Sequence, residues 1–261
     1  MLGFIKRIIK IQKNILNRTR NRLIPTAYIL LYHRIADVKD DPLQLSVNPE
    51  NFKNQLLYLK QKYNIVPLVQ LVMWLRKGGL KDNSVAVTFD DGYADNLHNA
   101  LPILKELNVP ATIFITSGYI SSNKHFYWDG NTRPEDRGRP LTHDELIELA
   151  KCNLIEIGAH TISHPRLSAL PLPKQEEEIN GSKKQIEKVL NYPQISLAYP
   201  FGDKESFDKN AIEIVKKSGF NYACSNIHER VTKNSNLYAL PRFVVRNWNE
   251  ERFKKEFNNF I

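Results

Sequence analysis

The chain has 261 residues, a mass of 30.3 kDa and 42% hydrophobic residues, enough for one large core or two modest ones, so a disordered tail protein is excluded. Its two cysteines, Cys152 and Cys224, lie far apart without a CxxC, which removes a disulfide scaffold and a thiolate zinc site and fits a reducing compartment. The net charge of +9 is concentrated in residues 1–25, which hold Lys6, Arg7, Lys10, Lys13, Arg18, Arg20 and Arg22 and no acid, so a uniformly basic nucleic-acid-binding surface is not indicated.

That segment is not secretory in pattern. Cations interrupt Leu2, Phe4, Ile5, Ile8, Ile9, Ile11, Ile15 and Leu16 too often for an apolar h-region, and no stretch is long enough to span a membrane. Two readings stand: a basic amphipathic helix making peripheral contact with an anionic membrane, or a solvated basic tail. Without a signal peptide the chain reads as cytoplasmic, with the arm able to dock at the inner membrane face.

From residue 26 to 261 the pattern alternates between strand-like and helix-like segments. Ala27–Tyr32 is an apolar run of strand length; Asn48-Pro49-Glu50 opens a helical pattern through Phe52, Leu56, Leu59 and Tyr63. A helix over Leu68–Lys77 ends at Gly78-Gly79, a buried strand covers Ser84–Phe89, and Tyr93–Leu107 is helical with a kink or break at Pro102. A strand over Ala111–Thr116 leads into a long βα loop, Gly118–Pro140, holding Tyr127, Trp128, Asp129, Arg133 and Arg137. Thr142-x-x-Glu145 is a capping box for a helix to Lys151, and Leu154–Ala159 is a strand. Helix Gln175–Leu190, strand Ile195–Tyr199, helix Phe207–Ser218, strand Asn221–Ser225 and a helix near Glu250–Phe257 complete the series. Some seven β-then-α units predict an α/β fold, a distorted (β/α) barrel of about seven mainly parallel strands in one domain.

The chemistry gathers at strand ends. Ser84–Phe89 runs directly into Asp90-Asp91-Gly92; two adjacent carboxylates repel, and a divalent cation on one removes that penalty while leaving the other free as a base. By itself Asp-Asp-Gly is also ordinary turn chemistry. After the next-but-one strand comes His160-Thr161-Ile162-Ser163-His164-Pro165, whose two imidazoles are spaced to bind one ion from the same side. Asp91, His160 and His164 together make a three-ligand set with room for water or substrate, the pattern of a catalytic metal. Zn²⁺ suits it first, with Co²⁺, Ni²⁺ and Mn²⁺ also compatible.

These residues resemble the polysaccharide deacetylases of the NodB-homology type, carbohydrate esterase family 4, over most of the chain. Thr88-Phe89-Asp90-Asp91-Gly92-Tyr93 is similar to the family's first motif, in which the first Asp is the general base and the second binds metal; His160–Pro165 is similar to its second. Ala198-Tyr199-Pro200-Phe201-Gly202 resembles the third, which lines the groove and offers a backbone N–H to the oxyanion, here that of Phe201. The resemblance implies metal-dependent removal of N-acetyl groups from amino sugars, in a cell-surface polysaccharide or its lipid-linked precursor.

The departures are specific. Ala198 stands where the third motif usually has an Arg that steadies the base, Tyr222–Ser225 offers no carboxylate and Leu240-Pro241-Arg242 no histidine. The subgroup of poly-N-acetylglucosamine deacetylases has a permuted arrangement with the histidine near the domain's start; Leu31-Tyr32-His33-Arg34 matches it, which makes His33 the expected general acid. Arg242 is the expected substitute for the missing Arg, and Tyr93, Trp128, Tyr199 and Phe201 are candidate sugar-stacking rings. His98, His125, His143 and His228 have no assigned role. The alternative to an enzyme is an inactive carbohydrate-binding or scaffold protein on the same fold; a nucleic-acid partner is not expected.

Overall fold

In the computed structural model, residues 25–122 and 124–260 are described, so apart from Pro25 the basic arm lies outside the described residues. The chain enters as β1 (Ala27–Tyr32), a wholly buried apolar run that pairs in parallel along its full length with β5 (Ser84–Phe89). Between them lie β2 (Arg34–Ile35), β3 (Ser46–Val47), α1 (Pro49–Lys62), β4 (Asn64–Ile65) and α2 (Leu68–Arg76). Asn48 caps α1 through its side chain on the Glu50 N–H, with Pro49 in the first turn, where a missing N–H costs nothing. The sheet continues through β6 (Ala111–Ile115), β7 (Ile155–Ala159), β8 (Ser196–Ala198) and β9 (Tyr222–Cys224), with β10 (Phe243–Val244) on the other side of β1.

All these pairings are parallel, in the order β10-β1-β5-β6-β7-β8-β9, with β4 beside the start of β5. This seven-strand path curls into a half-barrel. The gap between β9 and β10 is spanned by the approach to β10: Leu240 exchanges hydrogen bonds with Ala223 and Ser225, and Phe243 and Val244 then pair with β1.

Strand alternation divides the core. Tyr28, Leu30, Tyr32, Val85, Val87, Ile113, Ile115 and Ile157 face the helices in one cluster. Ala27, Ile29, Ala86, Phe114, Ala198, Tyr222 and Cys224 face inward in a second, joined by Leu68, Leu71, Val72 and Leu75 of α2. That helix therefore plugs the interior rather than covering the outside.

The remaining helices are α3 (Leu101–Leu107), α4 (His143–Ala150), α5 (Leu172–Leu190), α6 (Lys209–Lys217) and α7 (Glu250–Phe260). The Thr142 capping box is complete, with both reciprocal bonds made. Two expectations need correction. The helix expected from Tyr93 begins at Asn96 with a π-turn to Ala100, and Pro102 sits harmlessly in the first turn of α3, so the irregularity precedes the proline. The helix expected from Gln175 starts at Leu172, because Pro173 is likewise tolerated at a first turn.

Candidate active site and metal centre

The three motifs are carried to one rim by the C-terminal ends of β5, β7 and β8, and each leaves its strand through strained backbone. Asp91 (φ 76°) and Phe201 (φ 60°) each sit at the middle of a three-residue turn closed by Gly92 N–H to Asp90 O (3.0 Å) and Gly202 N–H to Pro200 O (2.6 Å). Thr161 (φ 64°) and His164 (φ 61°) are also left-handed. A β-branched residue in that region is a true outlier, and such strain persists only where surrounding structure enforces it. Gly202 is required: a Cβ there would stand 2.5 Å from the Asn226 backbone nitrogen.

Asp91, His160 and His164 present ligand atoms that all lie within 4.8 Å of one another, and all three residues are buried. Asp91 Oδ1 is 3.5 Å from His160 Nε2 and 3.6 Å from His164 Nε2. Ligands sharing one four-coordinate cation with bonds of about 2.1 Å stand about 3.4 Å apart, so the spacing fits a small divalent ion. Asp91 Oδ1 is buried with no hydrogen-bond partner among the described residues, an orphaned acceptor that a cation would satisfy. His160 Nδ1 lies 2.8 Å from the Ala198 carbonyl oxygen; donating there leaves Nε2 free as a ligand. Burial, followed by the charges of Asp90 and Asp129, pushes the Asp91 carboxyl well up, and burial holds both imidazoles below their ordinary value. Neutral imidazoles beside a carboxylate that lacks a counter-charge are the donor set a divalent cation needs.

Asp90 is treated differently. Arg242, fully buried, grips it with both arms: Nη1 to Oδ1 at 2.7 Å and Nη2 to Oδ2 at 2.7 Å. Arg242 is itself aimed by its Nε, which donates to the Ser225 carbonyl (2.7 Å), and by Nη1 to Thr88 Oγ1 (3.2 Å). Burial would raise the Asp90 carboxyl, but Arg242 and His160 outweigh it and bring it down to about 2. One of two adjacent carboxylates thus has a permanent protein counter-charge, and the other has none among the described residues.

An open cavity of 280 Å³ joins these groups, lined by His33, Asp90, Asp91, Trp128, His160, His164 and Phe201. Burial lowers His33 to about 4, with Asp90 opposing and Arg242 and Arg246 reinforcing the shift. Trp128 and Phe201 stand against the His164 ring at 4.3 and 4.9 Å. Phe201 N–H has no hydrogen-bond partner among the described residues.

The structure does not bring Tyr93, Tyr199 or Pro200 to the cavity wall, which corrects their reading as substrate contacts. Tyr93 is wholly buried and bonded to Asp129 and Trp128; Tyr199 stacks on Phe207 at 4.1 Å and donates to the Tyr238 carbonyl; Pro200 is buried behind Phe201. The wall also contains Leu31, Leu43, Leu45, Asp203, Asn226, Val244 and Arg246, which sequence reading passed over. Arg246 donates to the carbonyls of Leu43 (3.3 Å) and Gln44 (2.5 Å) and so holds that wall segment. These residues come from loops distant in sequence and carry no local signal.

A curled parallel half-barrel thus carries a buried Asp-His-His set beside an arginine-held carboxylate, both opening on one cavity. The polysaccharide deacetylase family profile matches residues 77–223, and the chain belongs to that family, whose members hydrolyse amide bonds. It is 27% identical over 253 residues to the poly-beta-1,6-N-acetyl-D-glucosamine N-deacetylase of Staphylococcus aureus (strain MRSA252), covering 94% of this chain and 81% of that one. In fold it is similar to the Streptococcus pyogenes deacetylase PplD in complex with acetate (TM-score 0.72, 24% identity, 89% of this chain and 98% of that chain). It is similar also to IcaB from Ammonifex degensii (TM-score 0.74, 20% identity, 90% and 97%).

Proposed function

We propose that this chain removes N-acetyl groups from a polymer of N-acetylglucosamine or its lipid-linked precursor, using a divalent metal, Zn²⁺ first, held by Asp91, His160 and His164. The observation that carries the reading is the pairing of two unlike carboxylates: Asp90 locked on Arg242, and Asp91 without a cationic side chain on it among the described residues but within reach of two imidazoles. The likeness to the staphylococcal enzyme supports the substrate.

A cation bound there supplies Lewis acidity toward the acetamide carbonyl and toward water. Asp90 takes the proton of the attacking water, and Arg242 keeps its carboxylate ionised and in one orientation. The free Phe201 N–H donates to the oxyanion as the carbonyl carbon becomes tetrahedral. His33 is neutral at pH 7, so it protonates the leaving amine only with a proton received inside the site, and the one accepted by Asp90, on the same cavity wall, supplies it. The C–N bond then breaks to give acetate and a free amine. Residues 1–25 are proposed as the peripheral contact with an anionic membrane, supported by seven cations and no acid.

The test measures metal per chain and acetate release from N-acetylglucosamine oligomers. Asp90→Asn is expected to keep its metal and lose activity by about 100-fold or more, the scale of a missing general base; His160→Ala is expected to lose both. Native protein that holds metal but releases no acetate from any N-acetylated sugar would favour a carbohydrate-binding role.

A further inference from the structure

The two histidines of the metal set are held by different means. His160 is oriented through its distal nitrogen, on the Ala198 carbonyl at 2.8 Å. The distal nitrogen of His164 is buried and has no hydrogen-bond partner among the described residues. A metal-binding histidine almost always has such a partner, because it sets both tautomer and ring orientation. His164 instead stands among rings: Trp128 at 4.3 Å, Phe201 and His160 at 4.9 Å, and Tyr127 at 6.3 Å.

The ring nearest to His164 is itself tethered. Trp128 Nε1 donates to the Tyr93 hydroxyl oxygen at 2.8 Å, and the Tyr93 hydroxyl donates to the Asp129 carboxylate, both oxygens of which lie at 3.1 Å. Tyr93 and Asp129 are buried, and Tyr93 follows immediately on Asp90-Asp91-Gly92, the turn that leaves β5. Backbone bonds fasten the far end of the Gly118–Pro140 loop to the same turn, Ala94 N–H to Arg139 O (2.9 Å) and Leu141 N–H to Gly92 O (3.1 Å). Gly138 packs so closely on the Tyr93 ring that a Cβ would meet it at 2.3 Å.

We propose that Tyr93 is a positioning residue for the metal set: through its hydroxyl it fixes Trp128, and Trp128 fixes the His164 ring in place of the missing hydrogen bond. The strand end that supplies Asp91 therefore also aligns a ligand from another strand, by way of the intervening loop. This rests on the metal reading above but concerns ligand geometry, not turnover.

The experiment measures Zn²⁺ affinity by chelator competition and the d–d absorption of the Co²⁺-loaded protein, for native chain, Tyr93→Phe, Trp128→Phe and Tyr222→Phe. Tyr222 is the control, a buried tyrosine on β9, a strand that supplies no ligand, bonded to the Glu156 carboxylate near the start of β7. Tyr93→Phe is expected to weaken Zn²⁺ about tenfold or more, the usual effect of losing an outer partner of a metal ligand, and to alter the Co²⁺ spectrum. Trp128→Phe, which keeps a ring beside His164 but removes the N–H, is expected to change both in the same direction, and serves alone should Tyr93→Phe not fold. Tyr222→Phe is expected to stay within about twofold of native. Affinities within twofold of native in the Tyr93 and Trp128 variants, or an equal loss in Tyr222→Phe, overturn the proposal while leaving the deacetylase reading intact. A native protein that binds no Zn²⁺ overturns both.

Discussion

Arg242 and Asp90 form an ion pair with almost no contact with solvent, at 0% and 5% side-chain exposure. Such pairs repay their desolvation only when geometry is good and every remaining donor is used, and here the fork is bidentate with Nε satisfied by Ser225. Removing one partner strands the other, so Arg242→Met is expected to cost about 3–5 kcal/mol in denaturant unfolding at pH 7. The sign of its pH dependence follows from Asp90. In the native protein the carboxyl, at about 2, lies below its ordinary 3.8, so its contribution is complete above pH 4 and fades as pH falls toward 2. In the variant that counter-charge is gone and burial is opposed only by His160 and His33, so the carboxyl rises from about 2 and contributes less stability at pH 7. The gap between the two proteins is therefore largest near pH 7 and shrinks by pH 3; a constant gap would contradict the assignment.

The cysteines give a second residue-scale expectation. Cys224 is fully buried in the inward cluster, and burial pushes its thiol up to about 12, whereas Cys152 is half-buried. A thiol reagent at pH 8 is expected to titrate at most Cys152 in the native state and both thiols after unfolding.

Among the elements, β7 shows how packing constrains the site. Gly158, two residues before His160, lies where a Cβ would meet the Phe114 ring at 2.5 Å and Ser196 Oγ at 2.7 Å. Gly158→Ala is expected to destabilise by about 1–3 kcal/mol, since both neighbours are themselves packed, and to lower metal affinity by displacing His160; thermal unfolding and metal titration read the two effects. The long elements were legible because parallel strands buried on both faces read as continuous apolar runs, and because Asn48-Pro49 and Thr142 mark helix starts, whereas Pro102 and Pro173 were not read as first-turn residues. The two-residue strands β2, β3, β4 and β10 were not legible, since two residues carry no periodicity and their pairing depends on a partner distant in sequence.

At the scale of the molecule, α2 fills the interior and the segment from Leu240 to Val244 spans the gap from β9 to β1, delivering Arg242 to Asp90 on the way. A cation that binds the folded Asp91-His160-His164 set and not the unfolded chain must stabilise the whole fold, by about 2.7 kcal/mol at a hundredfold excess over its dissociation constant. Zn²⁺ is thus expected to raise the Tm of the native protein reversibly with chelator, and to have no such effect on His160→Ala.

The sequence by itself determined the alternation of strand and helix, the placement of Asp90-Asp91 and His160/His164 directly after strands, and through them the family, because these are short-range patterns set by backbone propensity and side-chain spacing. Only the tertiary structure decided what surrounds those residues. It brought Arg242 onto Asp90 from the far end of the chain and buried Tyr93 and Tyr199 away from the cavity. It also set Arg246 and Trp128 on the cavity wall. Those relations depend on strand order and loop packing, where residues distant in the chain compete for the same space, and no local pattern encodes that outcome.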